Sequence, residues 1–526
     1  MIKEINIKNK IFRSKIPNYV AKICETLQKN GFESYLVGGC VRDLLMDNIP
    51  KDFDVTTNAI PEEIIKIFGE ENTVYENKFG TVGVKIKNNL ENKNPETKIT
   101  ETIEIKAAKE KTETIVEVTT FRKEGNYEDF RRPSQLEWGK KLEEDLQRRD
   151  FTMNAMAYDI LKDILIDIYK GQDDIKDKII KTVGNTEERF QEDALRMLRA
   201  IRFSAQLDFV ISQEIMQSIF NFSRNLEKIS QERIRDELVK ILMTKNPMTA
   251  LVTAQKLGIL KYISPELEKG IGVDQNQAHK YDVYEHNLRT LQHACDKNWP
   301  LHVRLAALFH DISKPETRRW SEEMKDWTFY GHDVVGARVA KEILFRLKFA
   351  KEISETVILM VRWHMFFSDP EKITLSAVRR LVANVGENRV WDLMDLRVCD
   401  RIGTGRPKEN PYRLRVYKAM VAEVLTQPIS LKMLKINGEK IMSYINEKPS
   451  KKIGYILHAL FNEVLDNPEK NTEEYLSNRT LKLNKMSDRE LQDLSDIGKE
   501  KMEKENLEIK NEIREKFFVK PAEKEK

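Results

Sequence analysis

Two aspartates one residue apart, and a histidine joined to an aspartate, mark two places in this sequence where chemistry could be done. The first is Asp52-Phe53-Asp54, which follows Gly38-Gly39 and Arg42 along the chain. Aspartates at i and i+2 of a strand point to one face and can share an ion. Such a pair suits Mg²⁺, which takes hard oxygen ligands and usually binds through one or two carboxylates plus substrate phosphates. The glycine pair lets backbone approach a triphosphate closely, and Arg42 can contact that phosphate. Glu117, in the apparent strand VEVTTFR, is placed to complete the acidic set. An isolated pair of this kind is commonly two solvated turn acids, so its specificity comes from the glycines and arginine beside it.

The second place lies in the only histidine-rich stretch. Seven of the eight histidines fall between positions 279 and 364. His286, His310-Asp311, His332, His364 and Asp400 follow one another in that order. Imidazoles mixed with carboxylates suit Mn²⁺, Ni²⁺, Co²⁺ or Zn²⁺, with Mg²⁺ held more weakly. His310 and Asp311 could ligate one ion together with His286 and Asp400, while His332 and His364 could assist a second. Two such ions activate water against a phosphoester. His279, His293 and His302 are read as packed or surface residues.

A third pattern, EDALRMLRAIR, puts Asp193 and Arg196 three residues apart on what reads as one helix face. An acceptor carboxylate beside a donor guanidinium can imitate a base-pairing edge. Cytosine and adenine both offer an exocyclic amino donor next to a ring acceptor, so one pair could read both without a template. Arg199 and Arg202 extend the stripe toward phosphates. The bland alternative is a salt-bridged helix with a solvated basic face.

These residues must be positioned by regular elements. A helix is predicted over 15–32, a strand at Ser34–Val37, a second strand from Asp52 to Thr56, a helix after Pro61, and strands at 74–75 and 81–87. Strands and helices thus alternate to about residue 160, the pattern of an α/β unit. Residues 88–114 are a Lys/Glu/Thr/Asn-rich interruption that reads as a solvated protrusion. Beyond residue 187 the chain is helical, ending in a mixed-charge tail that reads as a solvated helix or frayed end. At 526 residues several cores are expected, and 40% apolar with 33% charged residues describes a folded globular chain. A net charge of +4 leaves any nucleic-acid surface to local arginine and lysine clusters. Four well-separated cysteines match no zinc or redox spacing and read as reduced thiols. With no signal-like or membrane-length apolar run, the expected location is cytoplasmic.

GGCVRDLLMDNIPKDFDVTT resembles the first motif of the class II nucleotidyltransferases, the family of tRNA CCA-adding enzymes and poly(A) polymerases, matching at Gly39, Arg42, Asp52 and Asp54. DLQRRDFTMNAMAYD is similar to its ribose-recognition motif, at Arg148, Arg149, Asp150 and Asn154. EDALRMLRAIRFSAQL resembles its base-pairing motif, at Asp193, Arg196, Arg199 and Arg202, and ERIRDELVKIL the helix supporting it. The order H…HD…D resembles the HD-domain metal phosphohydrolases. The resemblance implies an α+β chain: a polymerase-β-like nucleotidyltransferase α/β head at 15–160 with the 88–114 insertion, an all-α neck and body at 161–265, an all-α HD domain at 275–405, and a helical tail at 406–526. It implies Mg²⁺-dependent addition of CCA to tRNA from CTP and ATP, by a monomer or homodimer with no membrane role, and an HD phosphohydrolase activity. The full-length stretch carrying Arg131-Arg132-Pro133 favours complete CCA addition. Alternatives are a poly(A) polymerase, an enzyme adding only A or only CC, or an HD phosphohydrolase whose first half only binds RNA.

Overall fold

The computed structural model describes residues 4–6, 13–75, 80–87, 113–123, 137–276, 279–366, 373–426 and 431–520. All but the last two residues of the predicted 88–114 insertion, and the Arg131-Arg132-Pro133 stretch, lie outside them. The chain forms two compact units, Met1–Ile358 and Leu359–Lys526.

The first unit opens on an eight-stranded sheet. Its strands are β1 (Glu4–Asn6), β2 (Ser34–Val37), β3 (Asp54–Thr57), β4 (Thr73–Tyr75), β5 (Thr81–Lys87), β6 (Glu113–Thr120), β7 (Met156–Asp159) and β8 (Ile164–Asp167). They lie in the order β1-β8-β7-β2-β3-β6-β5-β4. Only β3 and β6 run parallel, with Asp54 opposite Glu117. Alternation along the strands buries both faces. Leu36, Val55, Tyr158 and Leu165 enter one core, and Val37, Ala157 and Ile166 enter another with Phe121 and Leu146. Helix Asn18–Lys29, shorter at both ends than predicted, packs Val20, Ile23, Cys24 and Leu27 into the first core at the spacing of one helical face. Strand β3 starts at Asp54 rather than Asp52, so Asp52 stands in the bend ahead of it, with Phe53 as a buried anchor between them.

Helices Thr186–Glu192, Leu195–Leu207, Gln213–Phe222, Gln231–Leu242 and Pro247–Lys256 follow. The histidine-rich region of this unit is built on helices Val283–Asp296, Leu301–Phe309 and His332–Arg346.

The described part of the second unit is helical. It carries Val390–Gly403 and, near the C-terminus, Lys451–Asp466 and Asp488–Lys516. The tail read as a solvated helix or frayed end belongs to a 29-residue helix. Ser487 caps it through a capping box with Glu490, and Leu491, Ser495 and Gly498 are buried. A Cβ at Gly498 would stand 2.6 Å from the His458 carbonyl, so the absence of a side chain permits the close approach of the two helices. The mixed charge describes only the outer face of this helix. Among the described residues, no helix is long and apolar enough to cross a membrane.

Candidate active sites

Strand pairing places the first site. Asp54 and Glu117 are register partners on adjacent parallel strands, so their exposed side chains leave the same face. Asp52, also exposed, lies close enough for its charge to act on Asp54. The Asp54 carboxyl is held above its ordinary range by surrounding protein and by Asp52, against a lowering pull from Arg149. Hard oxygen donors on an open face are the chemistry that fits Mg²⁺.

Gly38 supplies the turn at the end of β2 with φ +79°, a conformation that favours glycine. A Cβ there would stand 2.9 Å from Arg149 Nη1 and 3.7 Å from Asp54 Oδ2, so the missing side chain lets the guanidinium lie beside the carboxylate strand. Arg149 is held from behind by Asp145, whose other oxygen accepts from Arg148 Nε at 2.9 Å. Asp145 is fully buried, and the two arginines keep it ionised below the usual carboxylate range despite that burial.

Arg42, expected at a phosphate, is 4% exposed and already committed: its Nη1 donates to Asn154 Oδ1 at 2.8 Å and its Nε to Asp43 at 2.9 Å. Asn154 Nδ2 donates to Asp150 Oδ1 at 3.1 Å, and Arg199 Nε donates to Asp150 Oδ2 at 2.7 Å. Arg202 Nε donates to Glu237 Oε2 at 2.7 Å. One chain of polar contacts thus ties the glycine turn, the RRD segment and helix Leu195–Leu207, whose Arg202 is anchored to helix Gln231–Leu242. Phe203 lies beneath it, with the guanidinium carbons of Arg42, Arg199 and Arg202 at 5.2, 5.5 and 4.0 Å from its ring centroid. Burial alone would raise the Asp150 pKa, but Arg199 and Asn154 outweigh it and bring it to about 2.

The expected Asp193–Arg196 face is arranged differently. Asp193 is not helical: its φ and ψ of −145° and 100° end helix Thr186–Glu192, and the next helix begins at Leu195. Its Oδ1 accepts from the Leu195 N–H at 3.1 Å and its Oδ2 from Arg233 at 2.6 Å. Arg196 is paired instead with Glu192 at 2.5 Å and donates to the Arg148 carbonyl at 3.0 Å. The two side chains are therefore held by separate partners. Arg233, Glu237, Asp145 and Phe203 were not singled out from sequence; only the ERIRDELVKIL resemblance pointed toward the first two.

The second site is built at helix ends. His286 Nε2 and His310 Nε2 stand 3.0 Å apart, and each lies within about 3.2 Å of Asp311 Oδ2, at 3.1 and 3.2 Å. His332 Nε2 lies 3.2 Å from the other Asp311 oxygen. All four residues are buried. His310 Nδ1 meets the Ala307 carbonyl at 3.0 Å and His332 Nδ1 meets the Phe329 carbonyl at 2.7 Å. A carbonyl only accepts, so both Nδ1 atoms carry hydrogen, and Nε2 is in each ring the nitrogen that faces Asp311. Oriented imidazoles around an ionised carboxylate are a donor set that fits a transition metal. Asp311 is held well below its usual range: burial opposes ionisation, and His310 and Lys314 overcome it.

His364 and Asp400 belong to the second unit. His364 is buried with Nδ1 on the Val361 carbonyl at 2.6 Å, and Asp400 is buried with Arg397 Nη1 at 2.6 Å. His293 is buried edge-on to Trp299, and His302 is half-buried. His279, grouped with them from sequence, stands apart: its ring is edge-on to His286 at 5.3 Å.

A mixed sheet bearing paired carboxylates, an arginine-rich helix tied to Asp150 and a histidine–aspartate cluster define a nucleotidyltransferase joined to an HD-type region. Residues 34–181 match the family described as "Poly A polymerase head domain". Residues 208–271 match "Probable RNA and SrmB- binding site of polymerase A", and residues 283–403 match "HD domain". The chain is 32% identical over 462 residues to the CCA-adding enzyme of Ligilactobacillus salivarius, covering 88% of this chain and 95% of that one. It is 40% identical over 268 residues to that of Bacillus cereus, covering 50% of this chain and 60% of that one. The fold resembles the crystal structure of the Bacillus stearothermophilus CCA-adding enzyme in complex with CTP, with TM-score 0.54 and 25% identity over 90% of this chain and 98% of that one. The chain belongs to the CCA-adding enzyme family.

Proposed function

We propose that this enzyme adds C, C and A to the 3′ end of tRNA, taking CTP and ATP without a nucleic-acid template. The observation that carries the reading is the Asp54–Glu117 pair beside Arg149, joined through Asn154, Asp150 and Arg199 to the arginine helix. In each cycle the tRNA 3′-oxygen forms a bond to the α-phosphorus, and the bond to pyrophosphate breaks. Asp52, Asp54 and Glu117 would hold Mg²⁺, which lowers the pKa of the attacking hydroxyl and neutralises charge on the leaving pyrophosphate. Arg148 and Arg149, fixed by Asp145, supply positive charge at the phosphates. Gly39 begins the helix whose Arg42 braces Asn154 and Asp150 for the ribose. Asp193 and Arg196 read the amino donor and ring acceptor shared by cytosine and adenine, and Arg199 and Arg202 hold the helix that carries Arg196. The head at 15–160, the neck and body at 161–265, the HD domain at 275–405 and the tail at 406–526 are the proposed divisions. The test is incubation of full-length protein with tRNA ending before CCA and each labelled nucleotide. Incorporation of A alone, or a long A tail, would replace this reading by a poly(A) polymerase, and arrest after two cytidines by a partial enzyme.

A second reading is favoured by the carbonyl-fixed imidazoles around Asp311. His286, His310, Asp311 and His332 would hold a divalent ion, which would activate water against a phosphoester. The substrates of this reading are phosphomonoesters or 2′,3′-cyclic phosphates, groups left on damaged RNA ends. Absence of hydrolysis with Mg²⁺, Mn²⁺, Ni²⁺ and Co²⁺ supplied singly would make this region an RNA-binding scaffold.

A further inference from the structure

The segment between helices Pro265–Glu268 and Val283–Asp296 brings one more imidazole to the histidine site. Gln275 anchors the segment, accepting from Lys314 Nζ at 2.6 Å, while the same Lys314 ammonium lies 2.6 Å from Asp311 Oδ2. Asp282 caps the following helix at the Glu285 N–H, 2.7 Å, and reaches back to the Gly272 N–H, 2.8 Å. Between these anchors the His279 N–H donates to the Asn276 carbonyl at 2.9 Å, and His279 Nδ1 meets Asn276 Oδ1 at 2.8 Å. With Nδ1 donating to that oxygen, Nε2 is the ring nitrogen that could coordinate an ion. This is the arrangement seen at His310 and His332, with an amide oxygen in place of a peptide carbonyl. One ligand atom each from His279, His286 and Asp311 lie within 4.8 Å of one another.

Ligand atoms at about 2.1 Å from one ion stand up to roughly 4.2 Å apart, so a shift well under an ångström brings these three onto a shared ion. Their chemistry is two imidazoles and one carboxylate, a set that suits a transition metal over Mg²⁺. We propose that His279 is a further ligand of the divalent ion held by His286 and Asp311, and that it biases the site toward nitrogen-preferring ions. The proposal rests on the metal reading of the histidine site. Spacing alone concealed it, because His279 is seven residues upstream of His286 and outside the helix that carries it.

The experiment uses the full-length protein stripped with chelator. Co²⁺ is titrated by calorimetry and by its visible absorption, Mg²⁺ by calorimetry, and Mn²⁺-bound protein is read by pulsed EPR, which counts coordinated imidazole nitrogens. His279→Ala and His279→Gln are compared with wild type, and thermal melts of the metal-free proteins check the fold. The expected result is at least about tenfold weaker Co²⁺ binding in both variants, one fewer coordinated imidazole, and Mg²⁺ binding changed by less than about threefold. If wild type binds Co²⁺ and both variants match it in affinity and imidazole count, the His279 assignment is overturned while the metal site stands. Weaker binding with an unchanged imidazole count also overturns it, leaving His279 a positioning residue for His286. If wild type binds no Co²⁺ or Mn²⁺, the metal reading itself falls, and this proposal with it.

Discussion

The two candidate sites of this chain solve the same problem, fixing charged or metal-binding groups in protein, by opposite means. The carboxylate site sits on an exposed face of a sheet, and its precision comes from ion pairs: Asp145 with Arg148 and Arg149, Asp150 with Arg199, Glu237 with Arg202. The histidine site is buried, and two of its imidazoles are aimed by backbone carbonyls three residues upstream of His310 and His332. The first is a network in which losing one member strands another charge. The second is a set of locally oriented donors converging on Asp311. The difference teaches that two networks in one chain can be perturbed separately, because none of the residues named in one network belongs to the other.

The largest expected effect tests that separability. Asp54→Ala should lower nucleotide addition by about a thousandfold while hydrolysis of a phosphodiester is retained. Asp311→Ala should do the reverse, measured by both assays on each variant. Loss of both activities in a stably folded single variant would break the comparison.

Network behaviour is tested next by Glu237→Ala, which leaves Arg202 buried without its carboxylate partner. Removing one member of a buried pair costs about 3–5 kcal/mol, so the thermal midpoint should fall by several degrees. A change within about 0.5 kcal/mol would show that the network is not energetically coupled.

Acid sharpens the same point. Asp150 is depressed to about 2, so the stability it contributes is fully present above its unfolded pKa near 3.9 and is lost as pH falls toward 2. Of order 2 kcal/mol should disappear across that window and should be missing from the same window in Asp150→Asn, as read by denaturant unfolding at stepped pH. An unchanged pH slope in the variant would remove Asp150 from this role.

The smallest effect concerns base choice. Asp193→Ala should cost about 1–3 kcal/mol of discrimination against UTP and GTP, measured as the ratio of kcat/KM values. Unchanged ratios would leave Asp193 only its bonds to Arg233 and the Leu195 N–H.

Much of the architecture was readable from pattern. The apolar run ending at the glycine pair located β2, and the near-helical spacing of Val20, Ile23, Leu27 and Phe32 located the first helix. The acid and histidine residues were likewise conspicuous by type and order. Less readable were places where a side chain changes the local path. Asp193 breaks what periodicity presents as one continuous helix, because its carboxylate caps the Leu195 N–H. Mixed charge concealed the packed face of Asp488–Lys516, since one helix face can be buried while the other stays solvated.

By itself the sequence determined the donor types, their order, and the strands and helices that carry them, because those follow from short-range periodicity and side-chain chemistry. Only the tertiary structure decided that Arg42 braces Asn154, that Arg233 rather than Arg196 holds Asp193, that Phe203 underlies three guanidinium groups, and that His279 reaches the ring of His286. Most of these are contacts across different elements. Periodicity tells which face of an element is apolar, but which foreign side chain meets that face depends on how the elements pack.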